Sequence, residues 1–319
     1  KTTDYNIMNT PFGRDVVKEL SEECKKQGIV FCTYYSILDW YQPDYNINSR
    51  GGPGYQLPNG ETPDMDRYSE YMYSHMKELI QNYGPLGIMW YDGEWEDPWT
   101  HERGLQLYDF VRGLQDNIII NNRVDKGRKG MEGVTLSDKD YAGDYDTPEQ
   151  EVGKFQIERP WESCMTICRQ WAWKPDDKLK SFEECIKILV ETAGGDGNLL
   201  LNVGPMPDGR IEPRQVDRLK EIGDWLELNG ESIYGTSGGP FKPAKWGAST
   251  SKGNKVYLHI LNYKGKELQL PAIDKKVINC QLLHGEKIDF SQTDNGLSIN
   301  QSKLNKDFVD NIVVLEVSE

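Results

Sequence analysis

The spacing of apolar residues changes period repeatedly along this chain, and each change marks a predicted element. In "GRDVVKELSEECKKQG", Val16, Val17, Leu20 and Cys24 recur at helical spacing and Gly28 follows as a C-terminal stop. The apolar run "IVFCTYYS" comes next and predicts a buried strand. "MDRYSEYMYSHMKELIQNYG" returns to helical spacing, with Tyr68, Met72, Met76, Leu79, Ile80 and Tyr83 along one side, and "LGIMWYD" predicts the following strand. Thr100 to Leu114 reads as helix, "NIIINNR" as a short apolar run ending in polar residues, and "FQIERPWESCMTI" as another strand. "SFEECIKILVETAGG" opens on a Ser181 to Glu184 capping-box pattern and runs helical to Gly194. "GNLLLNVGP" predicts a strand, and "PRQVDRLKEIGDWLELNG" a last amphipathic helix ending at Gly230.

Alternating strands and helices of this size predict an α/β fold with a parallel sheet, most simply a (β/α) barrel. A doubly wound open sheet is the rival, and no glycine-rich dinucleotide fingerprint supports it. Beyond about Tyr234 the pattern changes. "KVYLHILNY", "KELQLP", "VINCQLL" and "NIVVLEVS" are short alternating runs separated by Gly, Asn and Lys, which predict a C-terminal antiparallel β-sandwich. The expected division is a barrel-type catalytic domain over 1–235 and a sandwich over 236–319.

Composition narrows the partners. A formal charge of −14 and a pI near 4.9 argue against nucleic acid or an anionic membrane surface, which draw on clustered Lys and Arg. A neutral ligand suits the chain better. Nine Trp and seventeen Tyr supply rings that fill cores and that also stack on the apolar faces of sugars. No apolar run reaches the length of a membrane span. Cys24, Cys32, Cys164, Cys168, Cys185 and Cys280 lack a paired framework and read mostly as buried thiols. His75, His101, His259 and His284 show no ligand spacing to them, so neither metal nor cofactor is expected. Nothing in the sequence specifies an oligomeric state.

The residue that stands out is Asp92, a carboxylate at the end of the apolar run in "GPLGIMWYDGEW". An acid there costs desolvation energy, which calls for a chemical reason; capping of the next element is the plainer one. Glycosidic bond cleavage needs two carboxylates, one that attacks or activates water and one that protonates the leaving oxygen. Asp92 fits the first role. Glu149 and Glu151 in "GDYDTPEQEVG" and Glu162 in "PWESC" are candidates for the second, and spacing does not choose among them. Arg123 ends a strand on the same face and suits either orienting a carboxylate or holding sugar hydroxyls. Trp95, Trp161, Trp171 and Trp173 lie near these acids in sequence as candidate pocket walls, with core packing the plainer role for at least half of them. A metal-assisted hydrolase built on Asp92 and Glu94 is a further alternative that lacks visible additional ligands.

"TDYNI", "GRDVVKEL", "GIMWYDGEW", "IIINNR", "TPEQE", "WESC" and above all "GGDGNLLLNVGPMPDGRI" together resemble the α-L-fucosidases of glycoside hydrolase family 29, in the family's order and over nearly the whole chain. The resemblance implies a retaining exo-acting hydrolase of fucosylated oligosaccharides or glycoconjugates, needing no cofactor. Asp92 matches the aspartate of the family's W-F/Y/S-D-G motif and is the implied nucleophile. Glu149, at the "TPE" position, is the favoured acid/base, followed by Glu151 and Glu162. Trp95 and Arg123 match positions that resemble fucose-contacting residues. Family members usually carry further barrel strands and a "HHDGF"-type segment upstream of "TDY". The resemblance therefore implies a barrel that is incomplete at its N-terminus, with about three strands preceding Lys1. It also implies a secreted, periplasmic or lysosomal setting. A non-catalytic sugar-binding relative is the alternative reading.

Overall fold

The computed structural model describes residues 3–45, 62–136, 140–263 and 265–318, so Lys1 lies outside the described residues. The packing divides the chain into two compact units, Lys1–Thr147 and Pro148–Glu319.

In the first unit, α1 (Val16–Lys26), β1 (Thr33–Ser36), α2 (Met65–Tyr83), β2 (Ile88–Asp92), α3 (His101–Leu114) and β3 (Ile119–Ile120) follow one another, and the strands form a parallel sheet in the order β1-β2-β3. Asp15 caps α1 by accepting from the Lys18 N–H, and Thr100 caps α3 by accepting from the Arg103 N–H. The face of α2 that buries Tyr68, Met72, Met76 and Ile80 packs with Met89, Tyr91, Leu107, Val111, Ile118 and Ile120 in one hydrophobic cluster. Each large apolar side chain buried there contributes about 1.5–3 kcal/mol.

The strand expected over "IVFCTYYS" is corrected. Only Thr33–Ser36 is strand, while Ile29 and Val30 are 60% and 71% exposed. The reason is local. Gly28 takes φ +69° and the Ile29 N–H returns to the Cys24 carbonyl at 2.9 Å, so these residues finish the terminal turn of α1. The run "NIIINNR" is also shorter as strand than expected, because side chains take over the pairing after Ile120. The Asn121 side chain accepts from the Tyr91 N–H and donates to the Tyr91 carbonyl, both at 2.9 Å, which extends the β2–β3 ladder without backbone. Two short strands, β4 (Arg128–Lys129) and β5 (Val134–Thr135), then pair antiparallel.

The second unit opens with Glu149 bridged in parallel to Cys164 on β6 (Glu162–Thr166). It continues with α4 (Phe182–Gly194), β7 (Asn198–Asn202), parallel to β6, and α5 (Pro213–Asn229). The Ser181–Glu184 capping box forms in both directions. The strands after α5 are β8 (Ser237–Gly238), β9 (Gly247–Lys252), β10 (Lys255–Ile260), β11 (Glu267–Leu270), β12 (Val277–Leu282), β13 (Phe290–Thr293), β14 (Gly296–Asn300) and β15 (Asn311–Val317). They make two antiparallel sheets, β12-β15-β10-β9-β8 and β11-β14-β13. Leu258, Ile260, Val313 and Leu315 from the first sheet and Leu268, Leu297 and Ile299 from the second share one cluster. His259 on β10 is fully buried against Asp310, with Nδ1 and Oδ2 2.7 Å apart. Cys164, Cys168, Cys185 and Cys280 are buried, whereas Cys32 is exposed.

Candidate active site

Asp92 is the last residue of β2 and pairs in register with Ser36, the last residue of β1. Gly93 follows with φ +93°, a conformation that lets the chain leave the sheet sharply, and a side chain there would meet Leu38 at 2.8 Å. The Asp92 carboxylate is thereby left at the C-terminal edge of the parallel sheet, where such folds carry their chemistry.

Two groups hold it. Arg123 Nη1 donates to Oδ1 at 2.7 Å, and the Tyr34 hydroxyl donates to Oδ2 at 3.0 Å. Arg123 is 1% exposed and is itself fixed: Nε donates to Thr147 Oγ1 at 2.9 Å, Nη2 to the Thr147 carbonyl at 3.3 Å, and the guanidinium lies 4.6 Å from the centre of the Trp90 ring. Tyr34 stacks on Trp90 as well, with ring centres 5.6 Å apart. Trp90 thus braces both partners of the carboxylate. The Thr147 hydroxyl donates to Asn122 Oδ1, and the Asn122 amide nitrogen donates to Asp146, Thr135 and the Gly133 carbonyl. Such a chain fixes Arg123 by satisfied buried groups.

The loop after Asp92 carries two buried acids, Glu94 and Glu96. Glu94 is 3% exposed and pairs with Arg128 at 2.7 Å. Burial pushes its carboxyl above the ordinary range, with Arg128 pulling the other way. Glu96 is 5% exposed and accepts from the Trp40 indole and the Tyr45 hydroxyl. Its backbone carbonyl accepts from Lys126, whose ammonium is shifted down by burial. Trp95, between the two acids, is 45% exposed. The sequence pointed to Glu94 only as a partner of Asp92 in the metal-assisted alternative and did not point to Glu96, because their partners lie 34, 51 and 56 positions away. Tyr34 was equally missed, although its place on β1 two residues before the partner of Asp92 was a usable signal.

The remaining candidates belong to the second unit. Glu149 is half-buried beside β6, Glu151 is exposed, and Glu162 opens β6. Gln150, between the two glutamates, has φ +55° and takes the Cys164 carbonyl through its N–H at 3.0 Å. Trp161 is 1% exposed, and side chains added at Gly153, Gly195 or Gly197 would fall within 3 Å of its ring. Its faces are spent on packing. Trp173 lines a small depression with Cys168, Lys174, Asp177, Gly204 and Gln215, and Trp171 is 39% exposed. Among the described residues no group of three or more His, Cys, Asp or Glu is placed to hold a metal ion, and no helix is long and apolar enough to cross a membrane.

The arrangement around Asp92 offers an oriented carboxylate at an open sheet edge. Comparison with known proteins gives the family to which the chain is similar. A family model described as Alpha-L-fucosidase matches residues 1–231. The alpha-L-fucosidase of Branchiostoma floridae is 29% identical over 280 residues, covering 82% of this chain and 56% of its own length. The tissue alpha-L-fucosidase of Bos taurus is 30% identical over 275 residues, covering 82% and 53%. The chain spans about half the length of these curated relatives. Among solved structures, alpha-L-fucosidase isoenzyme 1 from Paenibacillus thiaminolyticus superposes with a TM-score of 0.86 at 31% identity, covering 100% of this chain and 79% of that one. A GH29 alpha-L-fucosidase from Bacteroides thetaiotaomicron, trapped as a covalent intermediate in complex with 2-fluoro-fucosyl fluoride, gives 0.86 at 26% identity, covering 100% and 75%.

Proposed function

This chain belongs to the alpha-L-fucosidase family, and from that premise we propose that the whole protein is a retaining exo-α-L-fucosidase acting on terminal α-L-fucosyl groups of oligosaccharides or glycoconjugates. The observation that carries the reading is the Asp92 carboxylate at the end of β2, oriented by Arg123 on one oxygen and Tyr34 on the other. In this reading Asp92 attacks the anomeric carbon as the bond to the leaving oxygen breaks, and Glu149 gives that oxygen its proton. The product of this step is a fucosyl ester of Asp92. Water then attacks the same carbon, Glu149 takes its proton, and L-fucose leaves with retained configuration. Glu151 and Glu162 are the reserve donors. Trp95, exposed beside the buried Glu94 and Glu96, and Trp173 are read as contacts to the sugar. The parallel strands over 1–235 are read as part of a (β/α) barrel, and the antiparallel sheets over 236–319 as a β-sandwich. A secreted, periplasmic or lysosomal location goes with this function.

The test is exposure of the protein to a 2-deoxy-2-fluoro-fucosyl fluoride, followed by intact mass and peptide mapping. A fluorofucosyl adduct on Asp92 is expected. An adduct on another carboxylate would reassign the nucleophile; fucose binding with neither adduct nor turnover would replace the enzyme with a sugar-binding relative.

A further inference from the structure

We propose that Trp40 is a stacking platform for the sugar to which the fucose is attached, so that the protein recognises a neutral pyranose ring on the leaving-group side of the scissile bond; this rests on the reading of Asp92 as the catalytic carboxylate. What points to this role is how Trp40 is held. It is 54% exposed, yet its indole N–H points at both oxygens of Glu96, 3.1 and 3.2 Å away. Glu96 is 5% exposed, and Tyr45, 2% exposed, donates to its Oε2 at 2.9 Å.

A buried carboxylate is costly, and folds normally commit one to groups that are themselves buried. Here it fixes a side chain that stays in solvent. Such a contact adds little to the core, but it sets the angle of the ring and leaves the indole surface open. A tryptophan already locked in one rotamer loses less entropy on binding than a mobile one. Its broad π-face suits the C–H face of a pyranose.

The position of this ring follows from the sheet. Ser36 and Asp92 are paired at the ends of β1 and β2, and the Ile37 N–H continues the ladder to the Asp92 carbonyl at 2.7 Å. Trp40 lies four residues beyond Ser36 and Glu96 four beyond Asp92, so their contact ties together the two loops that leave the strand ends beside the carboxylate. The formal charge of −14 on the chain disfavours sialylated or sulfated rings and favours a neutral one.

The test uses an Asp92→Asn variant of the full chain, titrated calorimetrically with L-fucose and with a neutral fucosylated trisaccharide. The trisaccharide is expected to bind roughly tenfold more tightly than fucose. Trp40→Ala in that background removes the margin and leaves fucose affinity within about twofold, whereas Trp40→Phe, which keeps a ring and loses the N–H, retains part of it. Trp40→Ala and Trp40→Phe both withdraw the N–H from the buried Glu96, so their thermal midpoints are expected to fall together, and a margin lost only in Trp40→Ala reports the ring. A margin that survives Trp40→Ala overturns the platform, as does an equal loss for both sugars, which would place the indole against fucose itself. If neither sugar binds the parent, the platform and the fucosidase reading fall together. A Trp40-dependent margin in a protein that turns over no fucoside removes the catalytic reading and leaves the platform standing.

Discussion

Two buried acid–base pairs in this protein share a 2.7 Å contact and differ in everything around it. In the first unit Arg123 meets Asp92, whose side chain keeps 19% of its surface exposed; in the second, His259 meets Asp310 and both side chains are fully enclosed. His259 Nε2 faces the Ser232 carbonyl and Thr250 Oγ1 at 3.4 and 3.5 Å, and Asp310 Oδ1 is buried without a hydrogen-bond partner. The enclosed pair joins β10 to the start of β15 and to the turn after α5. Its use is cohesion. The open pair has one partner locked by Thr147 and Trp90 and a carboxylate that still reaches solvent, an arrangement that keeps an oriented carboxylate accessible.

The contrast predicts opposite consequences for removing the acid. Asp92→Asn, which keeps an oxygen for the buried Arg123 to donate to, is expected to lower kcat by about ten-thousandfold or more on an activated fucoside while the melting midpoint hardly moves. A variant with substantial residual turnover would mean that another carboxylate attacks. Asp310→Ala should do the reverse, costing about 3–5 kcal/mol in urea unfolding because it strands His259 in the interior. A loss below about 1 kcal/mol would show that the enclosed pair contributes no more than a surface bridge.

Smaller effects sharpen the picture. Arg123→Lys keeps the charge and loses the fork that joins Asp92 to Thr147, so kcat should fall about a hundredfold with KM less affected. Unchanged kcat would show that the charge alone suffices. The smallest effect concerns His75 on α2, whose Nδ1 sits 2.9 Å from the Tyr35 hydroxyl and whose pKa burial lowers from 6.5. The neutral ring is favoured in the folded state, so its contribution is complete above pH 6.5 and is lost as pH falls below that value toward the depressed one. His75→Gln should therefore flatten the decline of the urea midpoint between pH 7.5 and 5.5. Parallel declines in both proteins would remove His75 from the account.

The helices were legible because their signals are local. Ser181 and Glu184 are three residues apart and cap α4 as their spacing requires, and Gly28 closes α1. Strand β9 was not legible: "GASTSK" has neither an apolar run nor an alternation, since its small residues are buried where Gly194 of α4 approaches Ala248. The same difference separates the site residues. Asp92 was visible because an acid ended an apolar run. Glu94, Glu96 and Tyr34 took their meaning from partners far away in the chain, and burial of one acid among 51 leaves no mark on its neighbours in sequence.

The amide of Asn121 carries a further consequence. It occupies a place where a peptide group would otherwise stand, giving and taking one proton across to Tyr91, the residue before Asp92. An aspartate there would preserve the shape atom for atom and set an oxygen against the Tyr91 carbonyl oxygen; a leucine would fill the space and answer neither group. On its β3 side the end of β2 is therefore joined through a single amide nitrogen and oxygen, and one base change from Asn to Asp in the gene is enough to turn the nitrogen's attraction into repulsion.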